Sequence, residues 1–143
     1  MSTPQTSPGV AGRRFVGRAE VVEYRSAFAL EQWLCRADIV PNQHLLMTRA
    51  CMNPGDSHPF HHHPAREEII YVLSGRAEQW VGGERRILQP GEIAFIPPGE
   101  VHATYNSFAE PLSFLAILSP AEAPGPIMVD VSTEEPWCSL RRA

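Results

Sequence analysis

A chain of 143 residues supports one domain with a single hydrophobic core. Its 43% hydrophobic and 20% charged residues are those of an ordinary soluble protein. The net charge of −4, with arginines scattered as pairs (Arg13–Arg14, Arg85–Arg86, Arg141–Arg142), gives no basic stripe for nucleic acid. Lysine is absent, which excludes Schiff-base catalysis and a phosphate-loop lysine, and the three distant cysteines (Cys35, Cys51, Cys138) form neither a CxxC pair nor a disulfide framework.

In chain order, residues 1–14 are polar and rich in Pro and Gly, and are expected to be disordered. They contain no apolar stretch like that of a signal peptide, and no run anywhere is long enough to span a bilayer. The chain is therefore expected in the cytoplasm, without a membrane partner. Residues 15–42 are ambiguous: "FALEQWLCRADI" fits a short helix after Ser26 or a strand around Trp33. From residue 43 short strands alternate with turn signals every eight to twelve residues. The strands are "HLLMTRACM", "FHHH", "EEIIYVLS", "RAEQWV", "RRILQ", "EIAFIP", "HATYNS" and "LSFLAIL", punctuated by Gly and Pro at 53–55, 75, 82–83, 90–91 and 97–99. That pattern predicts an all-β sandwich or barrel over residues 15–118. Residues 119–143 follow as a linker and tail, whose one apolar segment, "IMVDV", is placed to pack back on the barrel.

Strand alternation puts His61 and His63 on one face, with Cα atoms roughly 7 Å apart, and His62 on the other. Two imidazoles at that spacing converge on one ion. Parity does not choose between Glu67 and Glu68, because both faces of "EEIIYVLS" are apolar.

Two ordered motifs carry a resemblance. Gly55 is followed after five residues by His61, then His63, Glu68 and Gly75. Gly91 is followed after five residues by Pro97, then Gly99, His102 and Asn106. Together they match both signature motifs of the cupin superfamily over about 50 residues, with no departure at a ligand position. The resemblance implies a double-stranded β-helix, or jelly-roll barrel. It implies that His61, His63, Glu68 and His102 hold one divalent metal, that Glu67 faces away, and that Asn106 is structural near the barrel end. Three neutral imidazoles and one carboxylate suit Fe, Mn, Ni, Cu or Zn, and leave coordination positions open for substrate.

Around these ligands, His58 in "GDSHPF" is expected in a loop and not as a fifth ligand. His44, on the strand entering the motif, is a pocket candidate. The charges of Arg76 and Glu78 turn that face of "RAEQWV" outward and leave Gln79 pointing inward, as a hydrogen-bonding neighbour of the pocket. Members of the superfamily often pair through sheet faces, which puts a homodimer, with Trp33 and Trp80 covering the interface, among the expectations.

Three functions fit a small-molecule cupin of this kind. The first is a quercetin-dioxygenase-like enzyme in which Glu68 is a ligand that also accepts a proton. The second is a redox-neutral lyase, isomerase, decarboxylase or polyketide-cyclase-like enzyme. The third is a non-catalytic ligand binder. The first stands slightly ahead, and the absence of room for a helix-turn-helix outside the barrel disfavours a DNA-bound regulator.

Overall fold

The computed structural model describes residues 11–142, so most of the expected disordered segment lies outside the described residues. After a 3-10 turn at Arg18–Glu20 come eleven strands: β1 (Val22–Arg25), β2 (Leu30–Cys35), β3 (Leu46–Met52), β4 (Ser57–His62), β5 (Glu67–Ser74), β6 (Ala77–Val81), β7 (Glu84–Leu88), β8 (Ile93–Ile96), β9 (His102–Tyr105), β10 (Leu112–Ser119) and β11 (Val129–Asp130). A single helical turn, α1 (Trp137–Leu140), ends the described chain. All strand pairs are antiparallel. One sheet has the order β1-β2-β3-β10-β5-β8 and the other β11-β4-β9-β6-β7. The result is the jelly-roll barrel, with the core between the two sheets.

The alternation that predicted the strands also builds that core. Along β3, Leu46, Thr48, Ala50 and Met52 are buried, while Met47, Arg49 and Cys51 lie on the other face. On β5 and β10, Ile70, Val72, Phe114, Ala116 and Leu118 complete the same interior. A strand has period 2, so half of each strand dries one face. The ambiguous segment resolves as β1 and β2, which extend the six-stranded sheet beyond β3. Ser26 closes their tight turn by accepting hydrogen bonds from the amides of Phe28 and Ala29 at 3.1 Å each. Once β2 pairs with β3, Glu31 and Trp33 share its inner face, and tertiary pairing decides what periodicity left open.

Two glycines answer to backbone geometry. Gly75 has φ 77°, and a Cβ there would stand 2.3 Å from the carbonyl oxygen of Pro111. Gly99, also at φ 77°, donates its amide to the carbonyl of His63 at 3.0 Å, which ties the turn before β9 to the end of β4. Asn106 fixes the barrel end: its Nδ2 donates to the carbonyls of Met52 and Glu110, and its Oδ1 accepts from the amide of Phe108.

The tail corrects the reading of "RAEQWV". The face with Glu78 and Trp80 does point away from the barrel interior, but it is not solvated. Phe60, Trp80, Ala103 and Val131 form a second buried cluster, closed over by Tyr105, Trp137 and Leu140. The segment "IMVDV" supplies β11, which pairs with β4 (Val129 opposite His62). Trp80 is therefore covered by the chain's own tail, and Trp33 lines the interior cavity. Arg141 pins the tail. Its Nε and Nη2 donate to Oε2 and Oε1 of the buried Glu78 at 2.8 and 3.0 Å, and its guanidinium stacks 3.7 Å from the Tyr105 ring. Trp80 Nε1 donates to the same carboxylate at 2.8 Å. Tyr71, Leu73, Ile93 and Phe95 remain exposed on the outer face of the six-stranded sheet.

Two expected outcomes follow from this packing. The Arg141 fork, against the cost of burial, holds Glu78 down at about 2 from an ordinary 4.5. A carboxyl depressed in the folded state stabilises above its unfolded value and loses that contribution as pH falls through the folded one. Thermal stability of the wild type should therefore drop between pH 4.5 and 2 by more than that of Glu78→Gln, with exposure of Trp80 read by fluorescence. Gly75→Ala forces a Cβ against Pro111 at positive φ and should cost about 2 kcal/mol or more in urea unfolding.

Candidate metal centre

Four of the six histidines and one glutamate meet on the inner face at one end of the barrel cavity. A β-bulge sets up the first group. His58 lies opposite Thr104 and His61 opposite His102, so three steps on β4 match two on β9. The extra residue reverses the parity of His58, and both His58 and His61 turn inward while Phe60 turns out to the second cluster. His58 is thus a strand residue on the cavity wall, which corrects its expected place in a loop. The one sign of this in the sequence is Pro59, since a proline inside a strand marks an edge or a bulge.

The ligand atoms offered by His61, His63, Glu68 and His102 all lie within 4.8 Å of one another, and all four residues are buried. Glu67, one position along β5, is exposed, and His62 lies on the opposite face of β4, across from Val129. Each ligand-bearing imidazole is locked by a backbone carbonyl. Nδ1–H of His61 donates to Pro59 at 2.6 Å, that of His63 to Ile127 at 2.6 Å, and that of His102 to Glu100 at 3.0 Å. This fixes the tautomer and leaves each Nε2 lone pair directed at the common centre.

Whether these residues fit a metal is decided by the atoms left over. Glu68 Oε1 stands 2.8 Å from His102 Nε2 and 3.5 Å from His63 Nε2. Glu68 Oε1 and His102 Nε2 nevertheless have no hydrogen bond of acceptable direction, although both are buried. Orphaned buried acceptors are costly, and a shared divalent cation satisfies them together. The electrostatics suit it. Burial opposes charge on Glu68, but His102 and His63 outweigh it and hold the carboxyl well below its usual range. Burial, with His58, His102 and His63 crowding in, holds His61 well below its ordinary value and so neutral. An anionic carboxylate and neutral imidazole are the forms that bind metals.

Around the cluster, a stack braces one side. The His58 ring lies 3.5 Å from that of His61 at 10°, and 4.1 Å from that of Phe28 at 21°. His58 Nε2 sits 3.0 Å from Met128 Sδ, and burial, with His102 and His63 adding to it, pushes its imidazole down to about 3. The cavity in front of the cluster is about 140 Å³ and mostly apolar, with Phe28, Trp33, Met52, Ile70, Phe114 and Leu118 among its walls.

The other two pocket candidates fall outside this wall. His44 is exposed in a bend before β3 and does not line this cavity, because the strand begins two residues later than expected. Gln79 is buried and points inward, but one layer back: its Oε1 accepts from Thr104 Oγ1 at 2.6 Å, and Thr104 is the residue that faces the cavity. The apolar segment "IMVDV", expected to pack back on the barrel, also contributes. Ile127 and Met128 line the cavity, and Ile127 anchors His63. Arg66 holds the start of the linker that leads to this segment, donating from Nε to the Pro120 carbonyl and from Nη2 to that of Ala121. No periodicity marks these residues; they follow from a crossing of chain that only the folded barrel makes.

The comparisons agree with this geometry. Residues 48–118 match the family model described as "Cupin domain". A polyketide synthase protein, CurC, of Streptomyces cyaneus is 37% identical over 93 residues, which are 65% of this chain and 60% of that protein. A Klebsiella pneumoniae protein with a double-stranded β-helix domain superposes with a TM-score of 0.64 at 25% identity, over 82% of this chain and 96% of that one. A recombinant oxalate oxidase in complex with glycolate superposes with a TM-score of 0.54 at 26% identity, over 61% of this chain and 46% of that one. In the motifs, the barrel and the buried His-His-Glu-His cluster alike, this chain belongs to the cupin superfamily.

Proposed function

We propose that the protein is a single-metal enzyme that acts on a small organic molecule without net oxidation, in the manner of a lyase, isomerase or polyketide cyclase. The observation that carries it is the convergence of four buried donors, one of them anionic, at the end of a cavity whose remaining wall is largely hydrocarbon. A divalent metal held by His61, His63, Glu68 and His102 would supply Lewis acidity to a substrate oxygen. The chain's own residues do the rest. The three Nδ1 anchors keep the imidazoles from turning, so the centre is preorganised. The Phe28–His58–His61 stack closes one flank, and the apolar wall excludes water from the bound substrate. Similarity to the polyketide synthase protein supports the redox-neutral reading.

The likeness to an oxalate oxidase favours a second reading, oxidation at the same centre, with Glu68 also accepting a proton. The two part on product mass. Protein purified anaerobically without chelator and supplied with hydroxyaryl ketones should give products of unchanged mass or lacking one water. Oxygen uptake, with products that have lost two hydrogen atoms or gained two oxygen atoms, would establish oxidation instead.

The metal site has its own test. His61→Ala and His102→Ala should lower metal content from about one equivalent to a small fraction, while His62→Ala leaves it unchanged, by elemental analysis. Likewise Glu68→Gln should weaken binding about ten- to a hundredfold and Glu67→Gln should not. Equal loss in all variants would show that the cluster is not the metal site.

A further inference from the structure

The cavity wall carries a charge pattern that the metal cluster does not explain. Its only acidic groups are Glu68 and Glu31, and neither arginine nor lysine lines it. Glu31 projects from the inner face of β2 with no ion pair among the described residues. Arg36, whose charge acts on Glu31, is committed to Asp38, with Nε and Nη2 on the two carboxylate oxygens at 2.5 and 2.8 Å. With a divalent ion bound, the ion and Glu68 leave one net positive charge; Glu31, whose carboxyl burial pushes up from its usual range, adds none and cancels that charge when ionised. An uncharged ligand keeps the interior neutral. A small dianion leaves at least one uncompensated negative charge in a largely hydrocarbon cavity, which lowers its affinity.

The polar groups left on the wall suit an uncharged ligand. Thr48 Oγ1 is buried, faces the cavity and has no hydrogen-bond partner. Thr104 gives its hydroxyl proton to Gln79, so toward the cavity it offers lone pairs only. One wall hydroxyl therefore both donates and accepts, and the other accepts. The volume, about 140 Å³, is that of a cavity that takes one six-membered ring, since an apolar cavity of roughly 150 Å³ holds benzene.

We propose that this cavity selects an uncharged single-ring molecule bearing hydroxyl and carbonyl oxygens, and rejects small dianions such as oxalate, with Glu31 imposing the charge selection and Thr48 binding a ligand oxygen. This rests on the metal-site reading above. Glu31 and Thr48 are specificity residues and take no part in holding the ion, which lies among side chains of β4, β5 and β9 and the residue after β4, whereas these two stand on β2 and β3.

The test uses the full chain loaded with Zn(II), with 2-hydroxyacetophenone and oxalate titrated calorimetrically and zinc content measured for each sample. In the wild type the ketone should bind at least about tenfold more tightly than oxalate. Glu31→Gln should strengthen oxalate about tenfold and leave the ketone nearly unchanged, and Thr48→Val should weaken the ketone about tenfold without affecting oxalate. Oxalate binding as tightly as the ketone, failure of either probe preference to respond to its variant, or no binding of either probe to the zinc-loaded wild type would overturn the proposal while the metal site stands. Failure of the wild type to take up zinc would overturn both. The wild-type comparison decides the charge selection whether or not the variants fold.

Discussion

Four ligand atoms within 4.8 Å of one another, inside a barrel walled largely by hydrocarbon, are the constraint to which the rest of the chain is fitted. Such a cluster is unfavourable by itself: it removes a carboxylate and three imidazoles from water and leaves acceptors without donors. It persists only if its members cannot turn away. The hydrogen bonds from Nδ1 to Pro59, Ile127 and Glu100 provide that, and each engages backbone that is itself held elsewhere. The Glu100 carbonyl belongs to the turn tied to β4 through Gly99 and His63. The Ile127 carbonyl follows the linker whose start Arg66 grips. Fixing three rings thus recruits three separate stretches of chain.

The bulge in β4 serves both sides of its sheet at once. A regular strand would put His58 and His61 on opposite faces. The inserted residue sends both inward and leaves Phe60 to anchor the outer cluster with Trp80 and Trp137. Burying a large aromatic side chain is worth about 1.5–3 kcal/mol, so the tail that covers Phe60 and Trp80 stabilises the very strand that carries the metal-facing histidines. Glu78 completes that link, because its carboxylate is satisfied by Arg141 from the tail and Trp80 from its own strand.

The barrel and the four clustered residues were legible in the sequence because both depend on local rules. Period-2 alternation and regular Gly and Pro punctuation give the strands, and the two motifs place His61, His63, Glu68 and His102. The rest was not, because it depends on crossings. His58 was misplaced because a bulge breaks the parity on which the face of a strand is judged. His44 was misplaced because β3 starts at Leu46, leaving the histidine in a bend. Glu78 looked solvated because a charge within a strand usually is, and nothing near it announces an arginine 63 residues on. Ile127 and Met128 open the apolar segment expected to pack back on the barrel, but nothing local says that it meets the inner cavity.

The complete lack of lysine, which first served to exclude chemistries, takes on a different meaning inside the barrel. The long cations of this chain are all arginines, and none lines the cavity: Arg36 is taken by Asp38, Arg66 by backbone carbonyls and Arg141 by Glu78. To a dianion, the ion and its carboxylate ligand offer only one positive charge. Here the one further charged group is Glu31, of the wrong sign for such a ligand. Jelly-roll architecture and a shared ligand set are therefore compatible with quite different substrates, and the discrimination lies in β2 and β3, outside the residues that the two motifs specify.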